Sequence, residues 1–122
     1  MKNLLIIFVA GGLGSVTRYL VGTWIGDRWQ SSLPLGTFTV NIMGCFLIGF
    51  FIGAIERYNL PREWNLLLVT GFCGGFTTFS SFIYEQNLSL KAEAYFDLIL
   101  YPMLSIFTGL TAALLGFELA KR

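Results

Sequence analysis

Glycine, hydroxyl and phenyl side chains are concentrated in one short stretch of this 122-residue chain. The stretch, Thr70–Phe82, reads TGFCGGFTTFSSF and contains three glycines, five hydroxyl side chains and four phenylalanines. Glycine loosens a helix at Gly71, Gly74 and Gly75, and a loosened backbone frees carbonyl groups that hydrocarbon cannot satisfy. In a membrane segment such a break is tolerated only where the chain faces protein, water or an ion. The composition of this stretch therefore predicts a pathway for a small ion.

Two phenylalanines of the stretch, Phe79 and Phe82, are three residues apart and so share one face of a helix. Paired phenyl rings on a membrane helix are most often core or lipid contacts, and that interpretation remains open. The hydroxyl side chains around the two rings argue against plain exposure to lipid; they belong to Thr77, Thr78, Ser80 and Ser81.

Asn41 and Arg18 interrupt other apolar segments. The Asn41 amide could bond another helix, but its two N–H donors also suit an anion. Arg18 lies well inside an apolar run, where a charge is costly. It either snorkels toward the nearer interface or faces a water-filled vestibule, where its permanent positive charge would attract anions.

A further set of hydroxyl side chains lies near the C-terminus, at helical spacing. Tyr101, Ser105 and Thr108 follow one another at steps of four and three, and Gly109 comes next. The steps place them along one stripe of a helix. Pro102 removes one backbone donor, so a bend or a position in an early turn is expected. Helix packing alone would also account for the stripe.

The elements that must position these residues are long apolar helices. The chain is 55% hydrophobic and 12% charged and contains no histidine. About 20 apolar residues suffice to span a bilayer. Four segments qualify, at residues 3–25, 35–56, 64–88 and 95–119. The connections between them are short, so we predict an all-α integral membrane protein with a broken third span, in a single domain over residues 1–122.

The N-terminal apolar run and the two cysteines are explained by ordinary structural roles. Lys2 followed by LLIIFVA resembles the start of a signal peptide, but the apolar run continues to Trp24 and fits a spanning helix better. Cys45 and Cys73 fall within predicted spans, with no histidine and no CxxC spacing. We therefore expect small packing residues there, and neither a metal site nor a disulfide.

The basic residues are distributed unevenly between the two ends of the spans. With four spans, the N-terminus, the second connection and the C-terminus lie on one side of the membrane. That side has five basic residues, Lys2, Arg57, Arg62, Lys121 and Arg122, against Arg28 and Lys91 on the other. This count favours a cytoplasmic N-terminus, although five against two is a modest bias.

The pattern does not favour an enzyme. Ser80 and Ser81 are candidate nucleophiles, but no histidine is present and no lysine lies in mid-span to act as a base. A proton-coupled exporter of four short helices is a rival function, and it needs a carboxylate inside the membrane. We expect the acidic residues to lie toward span ends; the relevant ones are Glu56, Glu85, Asp97 and Glu118. A purely structural membrane subunit would leave the broken third span unexplained.

Four motifs, one in each predicted span, are distributed along the chain. They are GxxxR at Gly14–Arg18, GTxxVN at Gly36–Asn41, the stretch Thr70–Phe82 followed by Glu85, and the small-residue pattern at Ser105, Gly109 and Gly116. In these motifs the chain resembles the small fluoride channels of the Fluc or CrcB type. The resemblance implies passive export of fluoride ions across the cytoplasmic (inner) membrane.

The resemblance also implies an assembly embedded in membrane lipid, a homodimer of antiparallel subunits inserted in both orientations, with two fluoride pores. Each pore is expected to use Asn41, Phe79 and Phe82. A polar track is expected to include Ser80, Ser81, Tyr101 and Ser105, and Arg18 matches the vestibule arginine. A structural sodium ion is expected at the dimer centre, held by the backbone carbonyls of Gly74 and Thr77.

The chain departs from this family pattern at one point. Some members carry further hydroxyls along the fourth span, where this chain has Gly109 and Ala113. The uneven count of basic residues is also a caution against the homodimer, because a subunit that inserts in both orientations should have nearly balanced charges. A heterodimer with an oppositely oriented homologue is therefore an alternative to the homodimer.

Overall fold

The computed structural model describes the whole chain, Met1–Arg122, and its secondary-structure elements are all helices. Four segments are long and apolar enough to cross a membrane. They are Lys2–Arg28 (α1), Leu35–Arg57 (α2), the composite segment Arg62–Lys91, and Tyr95–Lys121 (α6). The prediction of an all-α membrane protein with four spans is confirmed. Each span ends one to three residues later than predicted, and two of the four begin at the predicted residue.

The third span is a series of four helical pieces. Arg62–Trp64 (α3) leads into a wider π-helix over Asn65–Cys73, which is followed by a single turn, Gly74–Phe76 (α4). The chain then becomes extended at two residues before the helix Phe79–Lys91 (α5) begins. The predicted interruption of the third span is thus confirmed.

The interruption lies at Thr77 and Thr78, and the glycines before it are helical. Thr77 has ψ of 158°, and Thr78 has φ of −147° and ψ of 117°, whereas Gly74 keeps helical angles of −62° and −35°. The expectation that the backbone loosens at the glycines was therefore wrong for Gly74 and Gly75, which lie in α4, whereas Gly71 lies in the wider π-helix. The glycines allow close packing instead, because a Cβ built at Gly75 would collide with the carbonyl of Gly11 on α1.

Close contacts between small residues build the rest of the bundle. A Cβ at Gly14 of α1 would meet the backbone of Phe72 in the π-helix. Between α2 and α6, a Cβ at Gly49 would meet the carbonyl of Ala113, and one at Gly116 would meet that of Phe46. Small residues let helices approach in membranes, where burial of apolar surface from water provides no driving force. Among the glycines of the first span, Gly14 is thus a packing residue, whereas Gly12 has open space around it.

Polar contacts tie together the chain ends and the second connection. Lys2 lies 3.7 Å from Glu63, and Lys121 lies 3.0 Å from Glu56. Arg57 donates a hydrogen bond of 3.1 Å to the carbonyl of Ala120, near the end of α6. These contacts confirm that the N-terminus, the second connection and the C-terminus lie at one end of the bundle.

Candidate ion pathway

Asn41 of α2 holds the break of the third span by two hydrogen bonds. Its Nδ2 donates to the carbonyl of Thr78 at 3.0 Å, and its Oδ1 accepts from the backbone N–H of Thr78 at 2.8 Å. The amide thus replaces helical bonds that the extended backbone of Thr78 cannot make. The second N–H of Asn41 has no hydrogen-bond partner among these contacts and remains available to another group.

Hydroxyl side chains complete the two edges of the break. The hydroxyl of Thr78 caps α5 by accepting the backbone N–H of Ser81 at 3.2 Å, and it donates to the Ser81 hydroxyl at 3.1 Å. Ser80 lies 3.3 Å from the same hydroxyl and is exposed. On the other side, the Thr77 hydroxyl donates to the carbonyl of Cys73 at 3.0 Å. The extended residues are therefore fixed on both sides by side chains.

The two phenyl rings of α5 lie against each other beside the break. The ring centroids of Phe79 and Phe82 are 5.8 Å apart, and the planes are inclined by 28°. Phe82 also contacts Tyr101 of α6 at 5.1 Å, whereas Phe79 is 74% exposed. An aromatic edge carries partial positive charge, so a phenyl ring at a polar surface can face an anion with its edge.

A groove of about 410 Å³ lies where α2, the π-helix, α5 and α6 meet beside the break. Six of the predicted site residues line it: Asn41, Gly74, Thr77, Phe79, Phe82 and Ser105. The Ser105 hydroxyl is buried and has no hydrogen-bond partner within the chain. The groove therefore combines mainly apolar walls with unused polar groups.

A second and larger cavity, of about 630 Å³, lies on the other side of the break. Arg18, Ser81 and Glu85 line it, and Thr78 lines both this cavity and the groove. The position of Arg18 agrees with the vestibule interpretation. Its Nε donates a 3.1 Å hydrogen bond to the carbonyl of Gly75, at the end of the first half of the third span.

Tyr101 and Thr37 both contact the carboxylate of Glu85, and the sequence did not single out Thr37 or Glu85 as site residues. Tyr101 is buried, and its hydroxyl donates to Oε2 of Glu85 at 3.1 Å. The Thr37 hydroxyl donates to Oε1 of the same carboxylate. Glu85 was expected toward a span end, but these bonds place its carboxylate between three helices. Its spacing of three residues from Phe82 and four from Ser81 was the signal that could have found it.

The fourth span contributes fewer free hydroxyls than its stripe predicted. Thr108 donates to the carbonyl of Leu104 at 2.5 Å, and Thr111 donates to that of Phe107 at 2.8 Å. Gly109 packs against Cys45 instead, since a Cβ there would lie 3.3 Å from the cysteine sulfur. Ser105 is therefore left as a hydroxyl of this stripe with no partner within the chain.

The structure thus defines a class of four-helix membrane protein, one with a broken third span beside a partly polar groove. Residues 5–117 match the family model described as CrcB-like protein, Camphor Resistance (CrcB), and the chain belongs to this family. The family predicted from the motifs is confirmed.

Curated relatives match the chain along nearly its whole length. A protein from Gloeothece citriformis is 48% identical over 122 residues, which cover 100% of this chain and 99% of the relative. One from Bacteroides fragilis is 46% identical over 125 residues, covering 100% and 98%, and one from Leptospira interrogans is 43% identical over 121, covering 98% and 95%. All three are named fluoride-specific ion channel FluC. Their names confirm the prediction that the chain is not an enzyme.

Proposed function

We propose that the chain forms a fluoride-selective channel that lets fluoride leave the cell passively across the cytoplasmic membrane. The observation that carries the proposal is the groove itself. There the exposed ring of Phe79 lies against Phe82, and Asn41 holds the break while keeping one N–H free. The names of relatives that are 43–48% identical support the choice of ion.

The polar groups of the groove suit a small anion that binds water strongly. Such an ion passes only if its water is replaced by close donors, and the free N–H of Asn41, the unpartnered hydroxyl of Ser105 and the phenyl edges are donors of this kind. No lysine or arginine lines the groove. A full positive charge would hold the anion too tightly for conduction, so its absence favours passage. Arg18 lies in the vestibule, where it attracts anions before they enter.

The groove needs a second subunit to close it. In one chain it is a surface feature, and Gly74 and Phe79 are exposed beside polar backbone. Hydrocarbon cannot satisfy such groups. We infer that two copies pack antiparallel over this surface, which gives one pore for each subunit, with Ser80, Ser81 and Tyr101 in its polar track. A heterodimer with an oppositely oriented homologue is the alternative, because the uneven distribution of basic residues favours a single orientation of this chain.

The carbonyls of Gly74 and Thr77 fit a sodium ion between the two subunits. Neither carbonyl accepts a hydrogen bond from a side chain or from a backbone amide outside the helices. Unwound backbone carbonyls are typical ligands of sodium in membrane proteins. A bound cation would supply positive charge between two anion pores and offset part of the cost of desolvating the anions.

Liposomes that contain only this polypeptide test the proposal. A fluoride electrode should record rapid efflux from fluoride-loaded vesicles, while chloride and a cationic dye stay inside. Asn41→Asp should abolish the efflux and still give a folded protein. If the wild-type protein is folded and fluoride efflux equals that of empty vesicles, the homomeric channel is wrong. Release of the dye would instead indicate an exporter.

A further inference from the structure

We propose that Arg18 is a positioning residue of the broken span. By capping the carbonyl of Gly75, it determines which carbonyls at the break remain open to the groove. This role differs from attraction of anions by its charge, and the two can be separated by substitution. The inference rests on the proposed function only where it concerns the sodium ion.

Three carbonyls at the end of the first half of the third span differ in their hydrogen-bond partners. The carbonyl of Cys73 accepts the backbone N–H and the hydroxyl of Thr77, both at 3.0 Å. The carbonyl of Gly75 accepts Nε–H of Arg18 at 3.1 Å and the Ser15 hydroxyl at 3.4 Å. The carbonyl between them, on Gly74, accepts neither a side chain nor a loop amide.

The packing of Gly74 and Gly75 explains why only the Gly75 carbonyl is bonded by side chains of α1. Gly75 lies against α1, where an added Cβ would collide with the Gly11 carbonyl. Gly74 is exposed and lines the groove, and the nearest atom to an added Cβ there is 3.9 Å away. Ser15 and Arg18 are three residues apart on α1, so both reach the side that faces α1. The Gly74 carbonyl is left on the opposite side.

A charged donor is well suited to this position. The last carbonyls of a helix carry partial negative charge, and a guanidinium N–H makes a stronger hydrogen bond than a neutral donor. Loss of this bond would leave the Gly75 carbonyl with only the longer, 3.4 Å hydrogen bond from the Ser15 hydroxyl. The turn Gly74–Phe76 would then rearrange to satisfy it, and the Gly74 carbonyl would move with the turn.

Two substitutions of Arg18 separate the hydrogen bond from the charge. Nε2 of glutamine is as many bonds from Cα as Nε of arginine, so Arg18→Gln keeps an N–H donor at the same reach and removes the charge. Arg18→Met keeps an apolar stem of similar length and removes both. If Arg18 acts as a cap, the two variants differ; if it acts only through charge, they behave alike.

The first readout is hydrogen exchange at the amides of Thr77 and Thr78 in the reconstituted protein. Arg18→Met should exchange about tenfold faster than the wild type or more, since a charge-assisted hydrogen bond of ordinary strength has been lost. Arg18→Gln should stay within about threefold of the wild type, and Ser15→Ala should show a smaller increase than Arg18→Met. Equal exchange in the Gln and Met variants would overturn the proposal.

The second readout is the melting temperature of the assembled protein in sodium and in a large organic cation. The wild type and Arg18→Gln should both melt higher in sodium, and Arg18→Met should lose that difference. If Arg18→Met does not fold, hydrogen exchange in Arg18→Gln tests the proposal without it. Exchange at Thr77 and Thr78 tenfold faster than in the wild type would then overturn the proposal that Arg18 caps the Gly75 carbonyl. The exchange test requires no fluoride conduction, so an inactive wild type with the expected exchange pattern would refute only the proposed function.

Discussion

At the scale of single residues, Asn41 has both a structural and a proposed functional role. Its amide bonds both peptide groups of Thr78, and one N–H is left over beside the groove. The role in the structure explains why a polar side chain is present at this depth of α2. The leftover donor explains how the same residue could recognise an anion.

Replacement of Asn41 by aspartate should lower fluoride flux by more than about 100-fold, a loss of roughly 3 kcal/mol of stabilisation for the passing ion. The carboxylate can still accept the N–H of Thr78, but it no longer donates to the Thr78 carbonyl and it repels anions. Asn87→Asp, the same change at an exposed site of α5, serves as the control and should conduct normally. Normal flux through Asn41→Asp would mean that the pathway does not pass this residue.

Replacement of Phe79 or Phe82 by isoleucine should reduce fluoride flux at least about tenfold and leave the fold intact, because an apolar side chain remains and only the ring edge is lost. Phe107→Ile is a matched control: Phe107 and Phe79 are each 74% exposed, but Phe107 lines neither cavity. Efflux from liposomes, normalised to folded protein, gives the comparison. Equal efflux from all three variants would remove the phenyl rings from the mechanism.

Residue types predicted part of this site, and tertiary contacts determined the rest. Asn41, Phe79, Phe82 and Ser105 were singled out because polar or paired aromatic side chains are conspicuous in apolar spans. Their shared position on one groove agrees with the prediction. The carboxylate of Glu85 could not be placed in the same way. Its burial depends on donors from α2 and α6, which are distant from it in sequence.

At the scale of elements, the break of the third span depends on both α1 and α2. The composition of Thr70–Phe82 predicted an interruption, but neither its position at Thr77 and Thr78 nor the π-helix before it could be read from that composition. Both depend on tertiary contacts: Asn41 of α2 bonds the backbone of Thr78, and Gly14 of α1 lies against the backbone of Phe72 in the π-helix. The four spans themselves were predictable, because length and hydropathy are local properties of the sequence.

Alanine substitution at the two neighbouring glycines should separate folding from assembly. Gly75→Ala places a Cβ against the Gly11 carbonyl and should cost about 1–3 kcal/mol of stability in the single subunit. Gly74→Ala has open space within the subunit, so the subunit should fold normally. If the second subunit packs at this point, the Gly74 variant should fail to dimerise. Unfolding curves measure the loss of stability, and size-exclusion chromatography measures dimerisation. A stable dimer of Gly74→Ala would mean that the subunits make contact at another place.

At the scale of the whole molecule, orientation in the membrane decides between a homodimer and a heterodimer. Gln30 lies in the first connection and is exposed, whereas Tyr58 is exposed at the opposite end of the bundle. Basic residues number five at the end that includes Tyr58 and two at the other. Such a count biases orientation weakly.

A cysteine introduced at Gln30, with Cys45 and Cys73 replaced by alanine, should react with a membrane-impermeant reagent from both sides of the membrane in cells. A cysteine at Tyr58 in the same background should give the same two-sided result. Both results are expected if the chain inserts in both orientations. Labelling of each site from one side only, opposite for the two sites, would indicate a fixed orientation and a separate partner subunit.

The current through a planar bilayer that contains only this polypeptide tests the central claim most directly. With a tenfold fluoride gradient and equal chloride and pH on the two sides, we expect the current to reverse near the Nernst potential of fluoride, about 59 mV at 25 °C. Addition of a chloride or a proton gradient should leave that potential unchanged. A reversal potential near zero, or one that follows chloride or protons, would contradict a passive fluoride-selective channel.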